Sequence, residues 1–388
     1  MSLQELRSFR SVDMSGRNFG DDGLFFLAES LGYNQSAEEV DFSGNSITAA
    51  GLKAFDDILA GNAGLQKLQL NSTGIGDEGA KAIAEMLKKN STLRVLELNN
   101  NMIEYSGFAS LAGALLENNT IRSIHLNGNY GGALGAASLA KGIEGNKSLR
   151  ELHLHGNDIG NEGVRALMVG LSSHKGKVTL IDLGNNEIGS KGAFHVAEYI
   201  KKTKELKDCR CFKAERTITT IDLGGNNIHS SGASAIARVL KDNSVLSTDL
   251  TGKGFMRSSQ VPWESRDTKA WLVSGAKGAE YIADCLKYNT TLQTLDLRAN
   301  GLGDDGAVCL ASSLKIVNEA LTSLDLGFNE IRDRGAFALA QALKANEDIA
   351  VTSLNLTSNF LTKYGQVALT EARDFVYEMN EKEINIYF

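Results

Sequence analysis

Apolar residues recur along this chain in two alternating rhythms. In the stretch Leu149–Gly163, LRELHLHGNDIGNEG, Leu152 and Leu154 lie two positions apart, which turns both side chains to one face of a short strand. From Val164 to Leu171 the apolar spacing becomes that of a helix, three and four residues apart. Between the two stand Asn157, where the chain must turn out of the strand, and Gly163, small enough for close packing at the helix start. The asparagine amide offers donors and an acceptor to the open backbone groups of its own turn and of a neighbouring one. One strand, one turn and one helix cannot bury their own apolar face, so the unit has to stack on copies of itself.

Copies fill the chain. Indexed by the second apolar strand position, they stand at Met14, Phe42, Leu70, Leu98, Leu126, Leu154, Leu183, Leu223, Leu250, Leu297, Leu326 and Leu356. The basic period is 28–29 residues, with wider spacings of 40 before Leu223 and 47 before Leu297. Asn holds the turn in every unit except three, where Arg17, Thr73 and Lys253 replace it. A last strand is expected at Ile384–Tyr387, inside a C-terminal cap at 366–388 that closes the exposed strand edge. Residues 1–388 thus read as a single solenoid with two insertions, a basic one at 202–216 and one containing tryptophan at 252–276.

These units, with Asn at the turn and Gly before the helix, resemble leucine-rich repeats of the ribonuclease-inhibitor subfamily over roughly residues 9–388. The resemblance implies an α/β fold: a right-handed horseshoe of about twelve repeats, parallel strands on its concave face and helices on its convex face. The subfamily also includes the Ran GTPase-activating protein and the recognition region of NOD-like receptors. It therefore implies a fold and leaves the function open.

Composition narrows the partner. A net charge of −7 argues against nucleic acid or an anionic membrane surface. The opening residues MSLQELRSFRSVDMSG contain no apolar core of a signal sequence, and no run of about eighteen apolar residues exists to span a bilayer. Four cysteines in 388 residues make no disulfide framework. The expectation is a cytoplasmic protein, free or built into a cytoskeletal or other large assembly, with its oligomeric state open. Triplets such as Asn90-Ser-Thr92 and Asn289-Thr-Thr291 then read as chance glycosylation motifs.

Two stretches match G-x-G-x-x-G, Gly74–Gly79 and Gly301–Gly306. Asp77, Glu78, Asp304 and Asp305 occupy the end where a pyrophosphate would sit. There they serve as helix caps and repel phosphate, so no nucleotide cofactor is expected. Neither G-x-S-x-G nor H-E-x-x-H is present, and the chain reads as a non-enzyme.

The strand residue between the two leucines points away from the core. Along the array this position runs Asp13, Asp41, Gln69, Glu97, His125, His153, Asp182, Asp222, Asp249, Asp296, Asp325 and Asn355. Carboxylates stacked at the spacing of neighbouring strands, about 4.8 Å, favour a partner protein with a basic surface. His125, His153 and His155 cluster on this face beside Glu151. That set suits a pH-sensitive contact or zinc. No outer carboxylate is identifiable to orient the imidazoles, and no metal is expected.

The 252–276 insertion holds both tryptophans, Trp263 and Trp271, with Arg257 and Arg266 beside them. Trp and Arg are over-represented where binding energy concentrates. The candidate partner-binding set is therefore this loop together with Asp182, Asp222, Asp249, Asp296 and the three histidines. The expected function is a protein–protein interaction module or scaffold. The alternative is a GTPase-activating protein for a small Ran-like GTPase, with Arg257 as the supplied side chain.

Overall fold

Short strands and helices alternate in the computed structural model, which describes residues 9–174, 176, 178–208, 220–241, 275–315, 319–346 and 348–388. The chain divides into two units, Met1–Asp182 and Leu183–Phe388. The first contains strands β1 (Ser11–Asp13), β2 (Glu39–Asp41), β3 (Lys67–Gln69), β4 (Val95–Glu97), β5 (Ser123–His125), β6 (Glu151–His153) and β7 (Leu180–Asp182). They alternate with helices α1 (Gly20–Tyr33), α2 (Ala49–Gly61), α3 (Gly76–Lys89), α4 (Tyr105–Glu117), α5 (Gly132–Gly145) and α6 (Gly160–Ser173). The second unit begins with α7 (Ser190–Asp208), β8 (Thr220–Asp222), α8 (His229–Lys241) and α9 (Gly275–Leu286). It continues through β9 (Thr294–Asp296), α10 (Gly303–Leu314), β10 (Ser323–Asp325) and α11 (Asp333–Ala345) to β11 (Ser353–Asn355), α12 (Lys363–Asn380) and β12 (Asn385–Tyr387).

Within the first unit β1 to β7 pair in parallel and in chain order, so that Val12, Val40, Leu68, Leu96, Ile124, Leu152 and Ile181 form one column. In the second, Leu295, Leu324, Leu354 and Ile386 align in the same way across β9 to β12. This is an α/β repeat architecture of parallel strands alternating with helices. The columns are buried: Leu68, Leu70, Leu96, Leu98, Leu152 and Leu154 are all at 0% exposure. Burying a side chain of this size contributes about 1.5–3 kcal/mol.

The helices begin earlier than the sequence pattern suggests. Helix α6 starts at Gly160, whose φ of +61° favours glycine. Gly163 then lies inside the first turn, where a Cβ would stand 2.4 Å from Ile159 Cγ2 and 3.0 Å from Ala136 Cβ on α5. Glycine at this position brings consecutive helices together.

Two buried ladders of side-chain hydrogen bonds run through the repeats. The turn asparagines form the expected one. The Asn129 amide donates to the carbonyls of Leu98 at 3.0 Å and Leu126 at 2.9 Å. Its oxygen accepts from the backbone N–H groups of Asn101 and Ile103, both at 3.0 Å. The replacement Thr73 keeps the ladder, donating its hydroxyl to Leu70 O and Asn101 Oδ1. A second ladder stands at helix ends, at Asn34, Asn62, Asn90, Asn118, Asn146, Asn289 and Asn346, all buried. Asn118 donates to Leu87 O at 2.8 Å and Asn90 O at 3.0 Å, and accepts from the N–H groups of Thr120 and Ile121. In the sixth repeat His174 takes the position, its Nδ1 2.8 Å from Ile143 O.

This second ladder corrects the reading of the N-x-S/T triplets. The N–H of Thr92 donates to Asn90 Oδ1 and that of Thr291 to Asn289 Oδ1. The triplets recur because the turn after each helix uses that chemistry.

Helix α7 runs on through the first part of the 202–216 insertion. Residues 209–219 and 242–274 lie outside the described residues. No helix among the described residues is long and apolar enough to cross a membrane.

Replacing Asn129 by Ala strands four buried backbone groups that its side chain bonds. The expected loss is about 3 kcal/mol or more, read by chemical denaturation. The exposed Asn119, changed to Ala, should stay within about 0.5 kcal/mol of the parent.

Candidate functional site

The strand face carries the polar columns. In the first unit, Asp13, Asp41, Gln69, Glu97, His125, His153 and Asp182 stand in register on neighbouring strands. In the second, Asp296, Asp325 and Asn355 do the same. Most of these side chains are held by neighbours. Asp13 accepts from the N–H and hydroxyl of Ser15. Asp41 accepts from Ser43 N–H and from the Gln69 amide at 2.8 Å. A further column, Asn71, Asn99 and Asn127, passes bonds from side-chain oxygen to the next backbone N–H and ends at His155.

The stripe is less bare than the sequence suggests. Lys67 lies 3.0 Å from Glu97. Burial pushes the Glu97 carboxyl up, but bonds from Asn71 and Lys67 outweigh it and hold the group below its ordinary value. In the second unit Arg298 binds Asp296 at 2.5 Å and reaches Asp325 at 3.3 Å. Burial still leaves the Asp296 carboxyl above its usual range despite Arg298. Asp222 is 7% exposed and its carboxylate accepts from Gly224 N–H at 2.7 Å. Asp222 and Asp296 are thus buried turn-forming groups more than contact surface. Strand position alone could not reveal this, because the same column also holds exposed Asp13.

The histidines divide. His125 and His153 stack with ring centroids 3.9 Å apart and planes 14° apart. Ser123 Oγ is 2.9 Å from His125 Nε2 and donates to Glu151 Oε2 at 2.9 Å. His153 sits between Glu151, 3.8 Å away, and Asp182, 4.0 Å away. His155 turns instead to Asp182, at 3.5 Å. Burial, with the neighbouring His153, takes the His125 imidazole down to about 4, and burial lowers His153 as well. His125 is therefore neutral near pH 7, which removes it from a pH-sensitive contact.

The two glycine-rich stretches are repeat turns, with Gly74, Gly76, Gly301 and Gly303 all at positive φ. The carboxylate following each caps the next helix instead of its own. Asp77 accepts from Glu104 N–H at 2.7 Å and Gly107 N–H at 3.0 Å, at the start of α4. Asp304 accepts in the same way from the N–H groups of Arg332 and Gly335, at the start of α11. Trp263, Trp271, Arg257, Arg266 and Asp249 lie outside the described residues.

The Leucine Rich repeat family profile matches residues 33–55, 61–84, 89–112, 145–168, 215–237, 288–311 and 317–340. These seven stretches match leucine-rich repeats; the match does not single out the ribonuclease-inhibitor subfamily. No curated protein sequence matches it. Among solved structures, the actin-binding site 2 of leiomodin-1 is similar at 27% identity over 37% of this chain and 87% of that one, with a TM-score of 0.33. The complex of Rad7 and Elc1 in yeast is similar at 16% identity over 92% of this chain and 71% of that one, with a TM-score of 0.48. An internalin, inlF, of Listeria monocytogenes matches at 14% identity over 100% and 88%, with a TM-score of 0.46. None of these similarities is strong enough to carry a partner over to this chain.

Removing Arg298 leaves Asp296 buried with Asp325 as its charged neighbour. A carboxyl whose pKa is raised on folding binds its proton more tightly in the folded state, so stability falls as pH rises through the interval above about 3.9. Arg298→Ala should therefore cost about 2 kcal/mol near neutral pH. The cost should shrink as the solution is acidified towards about pH 5, measured by urea denaturation at both values.

Proposed function

We propose that this chain is a non-enzymatic protein-binding module whose strand face receives a partner with a basic surface. Leucine-rich repeats generally serve as protein–protein interaction modules. The observation that supports the reading here is the in-register column from Asp13 to Asp182, with its side chains already held by neighbours. Groups fixed before binding lose little conformational freedom on docking. Carboxylates in such a column also steer a cationic partner and set its register more than they add affinity. The compensated groups Glu97 and Asp296 contribute little to this field, so the contact centres on Asp13, Asp41 and Asp182. The tryptophan-containing insertion at 252–276 adds an apolar anchor of the kind that concentrates binding energy.

The test is affinity capture with the full chain, cross-linking and quantitative mass spectrometry. The Asp13→Lys/Asp41→Lys variant should lose its partners by about tenfold or more, equivalent to about 1.4 kcal/mol. A Lys141→Glu change on exposed helix α5 should leave them bound. Trp263→Ala/Trp271→Ala assigns the share of the insertion. Equal recovery with all variants would refute the strand-face reading.

A further inference from the structure

We propose that His125, Glu151 and His153 form a binding site for a divalent transition-metal ion of the zinc type. The three come from β5 and β6, where parallel pairing sets His125 opposite His153 and Ser123 opposite Glu151. One ligand atom from each residue lies within 4.8 Å of the other two. Tetrahedral zinc with bonds of about 2.0–2.1 Å draws such atoms closer, to about 3.4 Å, and the stacked rings of His125 and His153 would splay to aim one nitrogen each at the ion. Glu151 is half-exposed, with a side-chain exposure of 45%, and would exchange its bond from Ser123 Oγ for the ion.

A second observation points to a ligand. His153 Nε2 is buried and has no hydrogen-bond partner, although a carboxylate oxygen stands 3.8 Å away. A buried ring nitrogen left open is costly; coordination would satisfy it. The opposite nitrogen, Nδ1, faces Asp182 Oδ2 at 4.0 Å. A carboxylate behind a ligating imidazole fixes its tautomer and orientation in metal centres. From sequence, Asp182 was only another member of the acidic stripe, 29 positions further on; the pairing of β6 with β7 brings it behind His153.

The donor set selects the ion. Two imidazoles and one carboxylate suit zinc and its neighbours, whereas calcium and magnesium take oxygen ligands. Remaining coordination positions would open to the strand face, available to water or to an incoming side chain. The site stands whether or not a protein partner docks there.

The test strips the full chain with a chelator and titrates it with zinc sulfate against a competing chromophoric chelator. Wild type should bind one equivalent that His125→Ala/His153→Ala loses. Glu151→Gln and Asp182→Asn should each weaken binding by about tenfold or more. The sequence also holds two cysteines two apart, Cys209 and Cys211; a Cys209→Ser/Cys211→Ser variant should retain the equivalent, which separates this site from them. Cobalt in place of zinc should give visible d–d bands without a thiolate charge-transfer band. Melting curves of the metal-free variants check folding; if the double variant unfolds early, the near-isosteric Glu151→Gln decides. No zinc bound by wild type, undiminished binding without the imidazoles or the carboxylate, or loss only in the cysteine variant would each overturn the proposal.

Discussion

Buried backbone groups at the end of every strand and every helix govern this structure. A strand of three residues followed within a few positions by a helix leaves carbonyls and N–H groups open on both sides of each turn, deep between neighbouring repeats. Water does not reach them, and each one left unbonded costs about 1–3 kcal/mol. Two asparagine ladders meet that need, one at the strand exits through residues such as Asn129 and one at the helix exits through residues such as Asn118. Each amide bonds both its own turn and the preceding repeat, so the units cannot be satisfied singly. Stacking follows as much from this as from the leucine columns.

The same economy reaches the helix starts and the strand face. Asp77, Asp304 and Asp333 each lend a carboxylate to the first turn of the following helix. On the strand face Asp13, Asp41, Asp222 and Asp325 fold their oxygens back onto backbone N–H groups two residues on. An acidic residue in this column is therefore first a turn-forming group. Its availability to a partner depends on what else covers it: nothing substantial at Asp13, Arg298 at Asp325, and deep burial at Asp296. The face is better described as a polar surface fixed in place than as a uniform negative field.

The repeat, its period and the parallel α/β arrangement were legible in the residues, because the two apolar rhythms have no other way to bury themselves. Asn157 and its equivalents were legible too, since a turn out of a buried strand requires an amide at that place. The helix-exit asparagines were equally present but lay hidden in N-x-S/T triplets, whose hydroxyl residue is explained by the bonds of Thr92 and its counterparts. Capping by Asp77 was assigned to the wrong helix. Sequence proximity favours the local end, whereas stacking brings the next helix start within 2.7 Å.

The sequence by itself determined the unit and which of the described residues share a column, since periodicity and parallel register leave one alignment. It placed His125 opposite His153, with Glu151 beside them, but could not tell what each side chain would bond. Tertiary structure decided that: His125 stacks on His153, Ser123 bridges to Glu151, and Asp182 stands behind. It also decided that Asp222 and Asp296 are buried while Asp13 is exposed. A column is a one-dimensional property carried by spacing, whereas burial and convergence depend on side chains reaching across strands that lie far apart in the chain.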